Sequence, residues 1–225
     1  MKFNKIKLKK GRFLKPGEAD IYVDGNHESY ETIRNKYIWL NDNTQYGKSC
    51  HGKAMFYDEV LSTFNIQEFV KEQGINSVLD IGTGKGDMCN MLKEKVCDNV
   101  YGLDFAIAPR EEYVKKGIKF FQTDAHNIPL PDKSIDLIVS FDLLEHLHPD
   151  YLEKTIDEMF RVGTKYMIHR VGVGPSKSFF KHVGQLHTIQ EHPKFWRDEV
   201  FAPHAKAVKY FKGVKFLRTT LLVEI

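Results

Sequence analysis

The run Val78-Leu79-Asp80-Ile81-Gly82-Thr83-Gly84-Lys85-Gly86-Asp87 carries the strongest chemical signal in the chain. Apolar residues lead into three alternating glycines, the pattern of a buried strand entering a tight turn before a helix. Glycines there let the backbone pass close to a ligand at the carboxyl end of the strand. A phosphate loop requires G-x-x-x-x-G-K-[ST], whereas Gly84-Lys85 is followed by Gly86, which excludes that chemistry. A dinucleotide fingerprint requires a third glycine where Asp87 stands. It also leaves Asp80 unexplained, because a carboxylate repels a pyrophosphate and attracts an ammonium or sulfonium. The run instead fits apolar-apolar-acid-x-G-x-G-x-G at every position.

Further acids and histidines follow at suggestive places. Asp104 ends the apolar run Val100–Leu103, 18 residues after Gly86, and Asp124 follows Phe120-Phe121 another 20 residues on. A carboxylate is acceptor-only, and its two oxygens suit a cis-diol. Alone, either acid reads equally well as a turn or cap residue. Glu145-His146-x-His148 lies just beyond the next apolar run, and His187 and His192 come later, near Trp196. His146 can serve as a general base oriented by Glu145. Two nearby histidines without further ligands do not make a metal site, so no metal is expected.

These residues need a scaffold that gathers strand ends, and the chain supplies one. From Asn76 onward short apolar runs alternate with helical patterns, the signal for a parallel sheet with crossover helices. Strands are expected at Ser77–Ile81, Val100–Leu103, Ile118–Phe121, Ile135–Val139 and Tyr166–Ile168, with helices over 88–96, about 110–116 and about 152–160. Phe195–Phe201 reads as a short helix, and Ala207–Phe211 with Val214–Ile225 as a closing antiparallel pair. The fold class is α/β: a Rossmann-like, doubly wound, mostly parallel sheet with a terminal antiparallel strand pair. Ahead of it, residues 18–74 read as an aromatic cap. They hold one helix at about 54–63 and another opened by Asn65, with Glu68 as capping partner and Gly74 as the stop.

On those motifs the chain resembles the class I S-adenosylmethionine-dependent methyltransferases over about residues 76–170 and the terminal strand pair. The resemblance implies the seven-stranded methyltransferase fold, S-adenosyl-L-methionine as cofactor, and methyl transfer to a small-molecule or sugar-like acceptor. It implies cofactor contacts from Asp80, Gly82, Thr83 and Gly84. Asp104 would accept both ribose hydroxyls, with Phe105 beside it. Asp124 would face the adenine amino group, with the Ala125 amide near a ring nitrogen and Ser140-Phe141 packing alongside. The run from Asp124 through Leu147 looks like the small-molecule branch, in which a short loop replaces the helix after strand three. His187 would fall in an acceptor-side insertion at about 172–200, and Tyr46–Lys53 would fold over the methionine end. Catalytic roles are expected of His146, Glu145 and His187. Other users of the cofactor, such as aminopropyl transferases or lyases, and a non-catalytic binding module remain alternatives.

Composition narrows the setting. The chain has 225 residues, 42% hydrophobic and 28% charged, enough for one domain with a sizeable core. No apolar run approaches the roughly 18 residues of a membrane span. Cys50, Cys89 and Cys97 form no C-x-x-C pair, and their odd number suits a reducing compartment, so a cytoplasmic protein is expected. The net charge of +3 hides a basic arm: residues 1–17 carry seven basic side chains and no acid, leaving about −4 on the rest. Such an arm reads first as a solvated terminus without the apolar stretch of a secretory signal. It is also the one feature that would suit a nucleic-acid partner, which the mildly acidic remainder does not.

Overall fold

The computed structural model describes residues 29–43, 65–106, 109–174, 186–212 and 218–225. Its first strand, β1 (Ser77–Ile81), is buried on both faces, with Val78 in one apolar layer and Leu79 and Ile81 in the other. Burial on both sides explains a continuous apolar run in place of alternation. β1 pairs in parallel with β2 (Asn99–Asp104) and with β4 (Ile135–Phe141), so that Val78 stands beside Val100 and Leu137. β3 (Lys119–Gln122) and β5 (Gly163–Gly172) extend the sheet outward, again in parallel. β6 (Ala207–Lys212) and β7 (Arg218–Glu224) close it antiparallel, with β7 lying between β5 and β6.

The strand order is β3-β2-β1-β4-β5-β7-β6. Chain direction across the sheet reverses at β1, and a crevice opens beyond the carboxyl ends of β1 and β4, where open α/β sheets take ligands. The expected fold class is the observed one. One face of the sheet is covered by α2 (Ile66–Glu72) and α3 (Asp87–Lys95), through Ile66, Val70, Cys89 and Leu92. The other is covered by α5 (Pro149–Val162) and a π-helical turn at Phe195–Phe201, through Ile156, Met159, Trp196 and Phe201. Between β2 and β3 lies only the short α4 (Glu111–Lys115).

Local signals hold in detail. Asn65 Oδ1 accepts the Glu68 N–H at 3.2 Å, Glu68 Oε2 accepts from Asn65 Nδ2 at 3.2 Å, and Gly74 follows the helix at φ +58°. No helix follows β3. The segment that replaces it is clamped by Arg161, whose guanidinium donates to the carbonyls of Ile128 and Leu130 at 2.8 Å each and pairs with Asp132 and Glu158.

One element went unforeseen. Within the aromatic stretch before Gly74 the chain forms α1 (Tyr30–Asn43), with Ser29 Oγ accepting the Thr32 N–H at 3.2 Å. The basic arm, the helix expected at 54–63, the Tyr46–Lys53 segment and residues 175–185 of the insertion lie outside the described residues. Among the described residues no helix is long and apolar enough to cross a membrane.

Candidate active site

Beyond β1 the backbone turns through Gly82 at φ +77°, and a Cβ there would come within 3.0 Å of Leu143. The turn is tied to the neighbouring strand. Gly82 and Thr83 donate to the Leu103 carbonyl at 2.8 and 3.1 Å, and Gly84 N–H donates to Asp104 Oδ2 at 2.9 Å. Asp104 Oδ1 accepts the Ala106 N–H at 2.9 Å, so this carboxylate both shapes the loop and faces the crevice.

The crevice is a cleft of about 850 Å³, part of it open solvent. One wall is formed by strand ends: Gly82, Asp104, Phe105, Asp124, Ala125 and His126. Six of the residues that the resemblance assigns to the cofactor, or that flank them, are thereby brought together. The opposite wall comes from α1, through Tyr30, Ile33, Arg34 and Tyr37, and from the segment after β4, including Asp142, Leu143, His146 and Tyr151.

Asp80, Thr83 and Gly84 do not line the cleft; Asp80 and Thr83 are buried behind it. Asp80 is buried beneath the glycine turn, 3.7 Å from the Cys89 thiol, which lies 3.0 Å from the Thr83 hydroxyl. Burial pushes the Asp80 carboxyl up to about 7, against the lowering effect of its hydrogen bonds with Thr83 and Cys89. Ser140 and Phe141 also lie off the cleft. The Ser140 hydroxyl sits 2.7 Å from His169 Nδ1 inside the sheet, and Phe141 packs with the α2–α3 layer beneath the Arg170 guanidinium. Of the two expected aromatics, Phe105 is the one that lines the cleft, with Tyr37 edge-on at 6.2 Å and Arg34 over its face at 5.5 Å.

The histidines sort by their partners. His148 caps α5, its Nδ1 accepting the Asp150 N–H at 3.2 Å. His146 lines the cleft, with Nδ1 2.9 Å from the Leu186 carbonyl and 2.5 Å from the Tyr37 hydroxyl. Glu145 is fully buried, and its Oε1 accepts the Gly172 N–H at 2.7 Å. The His146 ring is thus held by Tyr37 and Leu186, and the carboxylate expected to orient it is turned to β5. Burial and the charge of Asp142 hold the Glu145 carboxyl above the usual range. His187 packs edge-on against His146, ring centres 4.7 Å apart, and burial lowers its imidazole below the usual value.

Sequence reasoning passed over Tyr30, Arg34, Tyr37 and Tyr151. The first three stand with Ile33 at i, i+3, i+4 and i+7, the spacing of one helix face, in a stretch whose polarity disguised the period. Tyr30 donates its hydroxyl to Asp124 Oδ1, and Arg34 lies 3.8 Å from the same oxygen.

Residues 79–165 match the model of the methyltransferase domain family. Over these residues the chain is similar to methyltransferase domains. It is 30% identical to the demethylmenaquinone methyltransferase of Thermotoga maritima over 113 residues, 48% of this chain and 44% of that one. The corresponding Thermus thermophilus enzyme is 34% identical over 99 residues, 40% of this chain and 44% of its own. The match thus spans less than half the length of either relative. In fold, the domain is similar to the Burkholderia thailandensis 1,6-didemethyltoxoflavin-N1-methyltransferase with bound 1,6-didemethyltoxoflavin and S-adenosylhomocysteine. That likeness has a TM-score of 0.61 at 14% identity and covers 96% of this chain and 99% of the other.

Proposed function

We propose that this methyltransferase domain moves the methyl group of S-adenosyl-L-methionine to a small-molecule acceptor held between α1 and the Asp142–His148 segment. One observation carries the reading: the glycine turn and the strand-end acids Asp104 and Asp124 open onto the same cleft as a wall of tyrosines and histidines. Asp104 takes the ribose, Asp124 and Ala125 the adenine, and Asp80 lies beneath the turn as a counter-charge for the cationic methionine end. In the transfer the sulfonium–methyl bond breaks as the bond to the acceptor forms, leaving S-adenosylhomocysteine. The donor is already activated, so the walls act chiefly by alignment and exclusion of water. His146, Glu145 and His187 stand at the acceptor end of the cleft, where an acceptor proton has to leave. Relatives named as demethylmenaquinone methyltransferases, and a fold neighbour named for 1,6-didemethyltoxoflavin, favour the small-molecule class.

The test is calorimetry and thermal shift with S-adenosylmethionine, S-adenosylhomocysteine, NAD and ATP, followed by labelled-methyl transfer to a panel of small hydroxyl, amine and quinol acceptors. The two adenosyl ligands should stabilise the fold by mass action and the others should not. A response to NAD alone overturns the reading. Cofactor binding with no transfer across the panel favours the binding-module alternative.

A further inference from the structure

We infer that Glu145, His146 and His187 together hold a divalent transition-metal ion at the acceptor end of the cleft. One ligand atom from each lies within 4.8 Å of the others. Both rings are already set as metal-binding histidines are. His146 Nδ1 bonds the Leu186 carbonyl at 2.9 Å, and His187 Nδ1 bonds the Gly174 carbonyl at 2.5 Å. A carbonyl only accepts, so each ring carries its proton on Nδ1 and its lone pair on Nε2. The Tyr37 hydroxyl, 2.5 Å from His146 Nδ1, adds a second partner on that same side.

Glu145 supplies an independent observation. The residue is fully buried, its Oε1 is satisfied by Gly172, and its Oε2 has no hydrogen-bond partner. A buried carboxylate oxygen without a donor is unfavourable unless the group is protonated or a cation meets it. Arg170 favours the carboxylate through its charge but donates no hydrogen bond to Oε2; Arg170 and Arg218 reach Asp142 Oδ2 at 2.6 and 3.2 Å. Gly172 keeps the pocket open, because a Cβ there would stand 2.7 Å from both Glu145 Oε1 and His187 Cε1.

Two imidazoles and one carboxylate suit Zn²⁺, Co²⁺ or Mn²⁺, whereas Mg²⁺ and Ca²⁺ prefer oxygen throughout. Bonds of about 2.0–2.2 Å would set tetrahedral donors roughly 3.3 Å apart, so the three groups must close by up to about 1.5 Å on loading. The sequence expectation of no metal weighed only His146 with His148. The third ligand comes instead from His187, beyond β5, while His148 is occupied as a helix cap. Three protein ligands leave a position open, and His146 lines the cleft. An acceptor oxygen bound at that position would be oriented and, if a hydroxyl, made more acidic. This use of the ion rests on the acceptor position proposed above; ion binding itself does not.

The experiment titrates chelator-treated, tag-free protein with CoCl2, ZnCl2 and MgCl2, read by calorimetry and by the visible absorption of bound Co²⁺. S-adenosylhomocysteine is titrated into the same samples. One equivalent of Co²⁺ or Zn²⁺ should bind, Mg²⁺ should not, and His187→Asn and Glu145→Gln should each weaken binding more than about tenfold. If Glu145→Gln fails to fold, His187→Asn, checked by circular dichroism and cofactor binding, carries the test. Absence of ion binding to the native protein, or binding that survives both substitutions as surface histidine binding would, overturns the inference. Cofactor binding without ion binding overturns it alone and leaves the methyltransferase reading standing; the reverse result removes the cofactor reading and keeps the metal site.

Discussion

Replacing Asp104 with Ala separates two duties of one carboxylate. Each of its oxygens already accepts a backbone N–H, from Gly84 and from Ala106, at 2.9 Å. The side chain lines the cleft, and its two oxygens suit a pair of ribose hydroxyls as donors. Hydrogen bonds to a charged group contribute roughly 1.5–3 kcal/mol each, and sharing the oxygens with the loop argues for the lower end. The substitution should therefore weaken S-adenosylhomocysteine by about 3 kcal/mol, or roughly 150-fold in Kd. The unbound fold loses two loop anchors that are open to replacement by water. That change amounts to about 1 kcal/mol, or roughly 2–4 °C in Tm for a chain of this size. The assay is a thermodynamic cycle: calorimetry of native and Asp104→Ala proteins with adenosine and with 2′,3′-dideoxyadenosine. The native protein should distinguish the two nucleosides and the variant should not. If both proteins discriminate equally, the ribose lies elsewhere. If the variant does not fold, Asp104→Asn repeats the cycle with one acceptor oxygen kept.

Three further outcomes follow from buried or clamped groups. Asp80, held near pKa 7 by burial, should release up to about half a proton when a cationic cofactor binds at pH 7. Calorimetry in buffers of different ionisation enthalpy reads this release, and Asp80→Asn should abolish it; buffer-independent heats in the native protein would remove Asp80 from the charged end. Buried His169, pressed against Phe201, has its pKa lowered to about 3 by burial, so below pH 6.5 the unfolded chain takes up a proton that the native state refuses. Stability should fall as pH drops from 6.5 towards 3, by about 1.4 kcal/mol per unit at full slope, and urea melts of His169→Gln should show a shallower decline. Arg161→Ala removes the guanidinium from the Ile128 and Leu130 carbonyls, of which Ile128 keeps the Leu130 N–H, and should lower stability by about 2 kcal/mol. Arg161→Lys should recover little of this, since the clamp needs the planar fork; full recovery in a thermal melt would show that charge alone suffices.

The sheet was legible because each of its strands satisfies a local and a global demand together. Ser77–Ile81 is apolar at every buried position except Asp80 and runs into glycines that the turn requires, so its type, direction and neighbour could be read from ten residues. Strand-end acids were legible for the same reason: Asp104 and Asp124 sit where the pattern of runs changes. Ser140 and Phe141 misled because a strand alternates faces. The sequence marks where β4 ends, yet not which residue turns to the crevice, and the left-handed Asp142 at φ +53° passes that place to Asp142-Leu143. Glu145 misled differently. Adjacency to His146 suggested a partnership, but the turn at Leu144–His146 aims the two side chains at different partners, the carboxylate at Gly172 and the ring at Leu186.

What the sequence concealed is concentrated on one side of the cleft, and there is a physical reason for the asymmetry. The wall proposed for the cofactor is built by strand ends, whose glycines and acids lie within about 45 residues of one another and follow from the fold. The facing wall is assembled from distant segments: Tyr30 reaches Asp124 across 94 positions, and Tyr37 reaches His146 across 109. No local pattern encodes such a contact; only the packing of α1 against the finished sheet creates it. The same holds for His187, which meets Glu145 and His146 because β5 carries the chain back past the turn after β4. Substitutions on α1 or around His187 can therefore alter what the cleft accepts while β1, β2 and the glycine turn remain unchanged. A Tyr37→Phe variant makes the separation measurable, since it removes a hydroxyl from His146 and none from the strand-end acids. It should change acceptor turnover and leave S-adenosylhomocysteine affinity within about twofold, given that no hydrogen bond assigned to the cofactor is lost. An equal loss in both would mean that the two walls act as one, and that the acceptor end is not an independently varied surface.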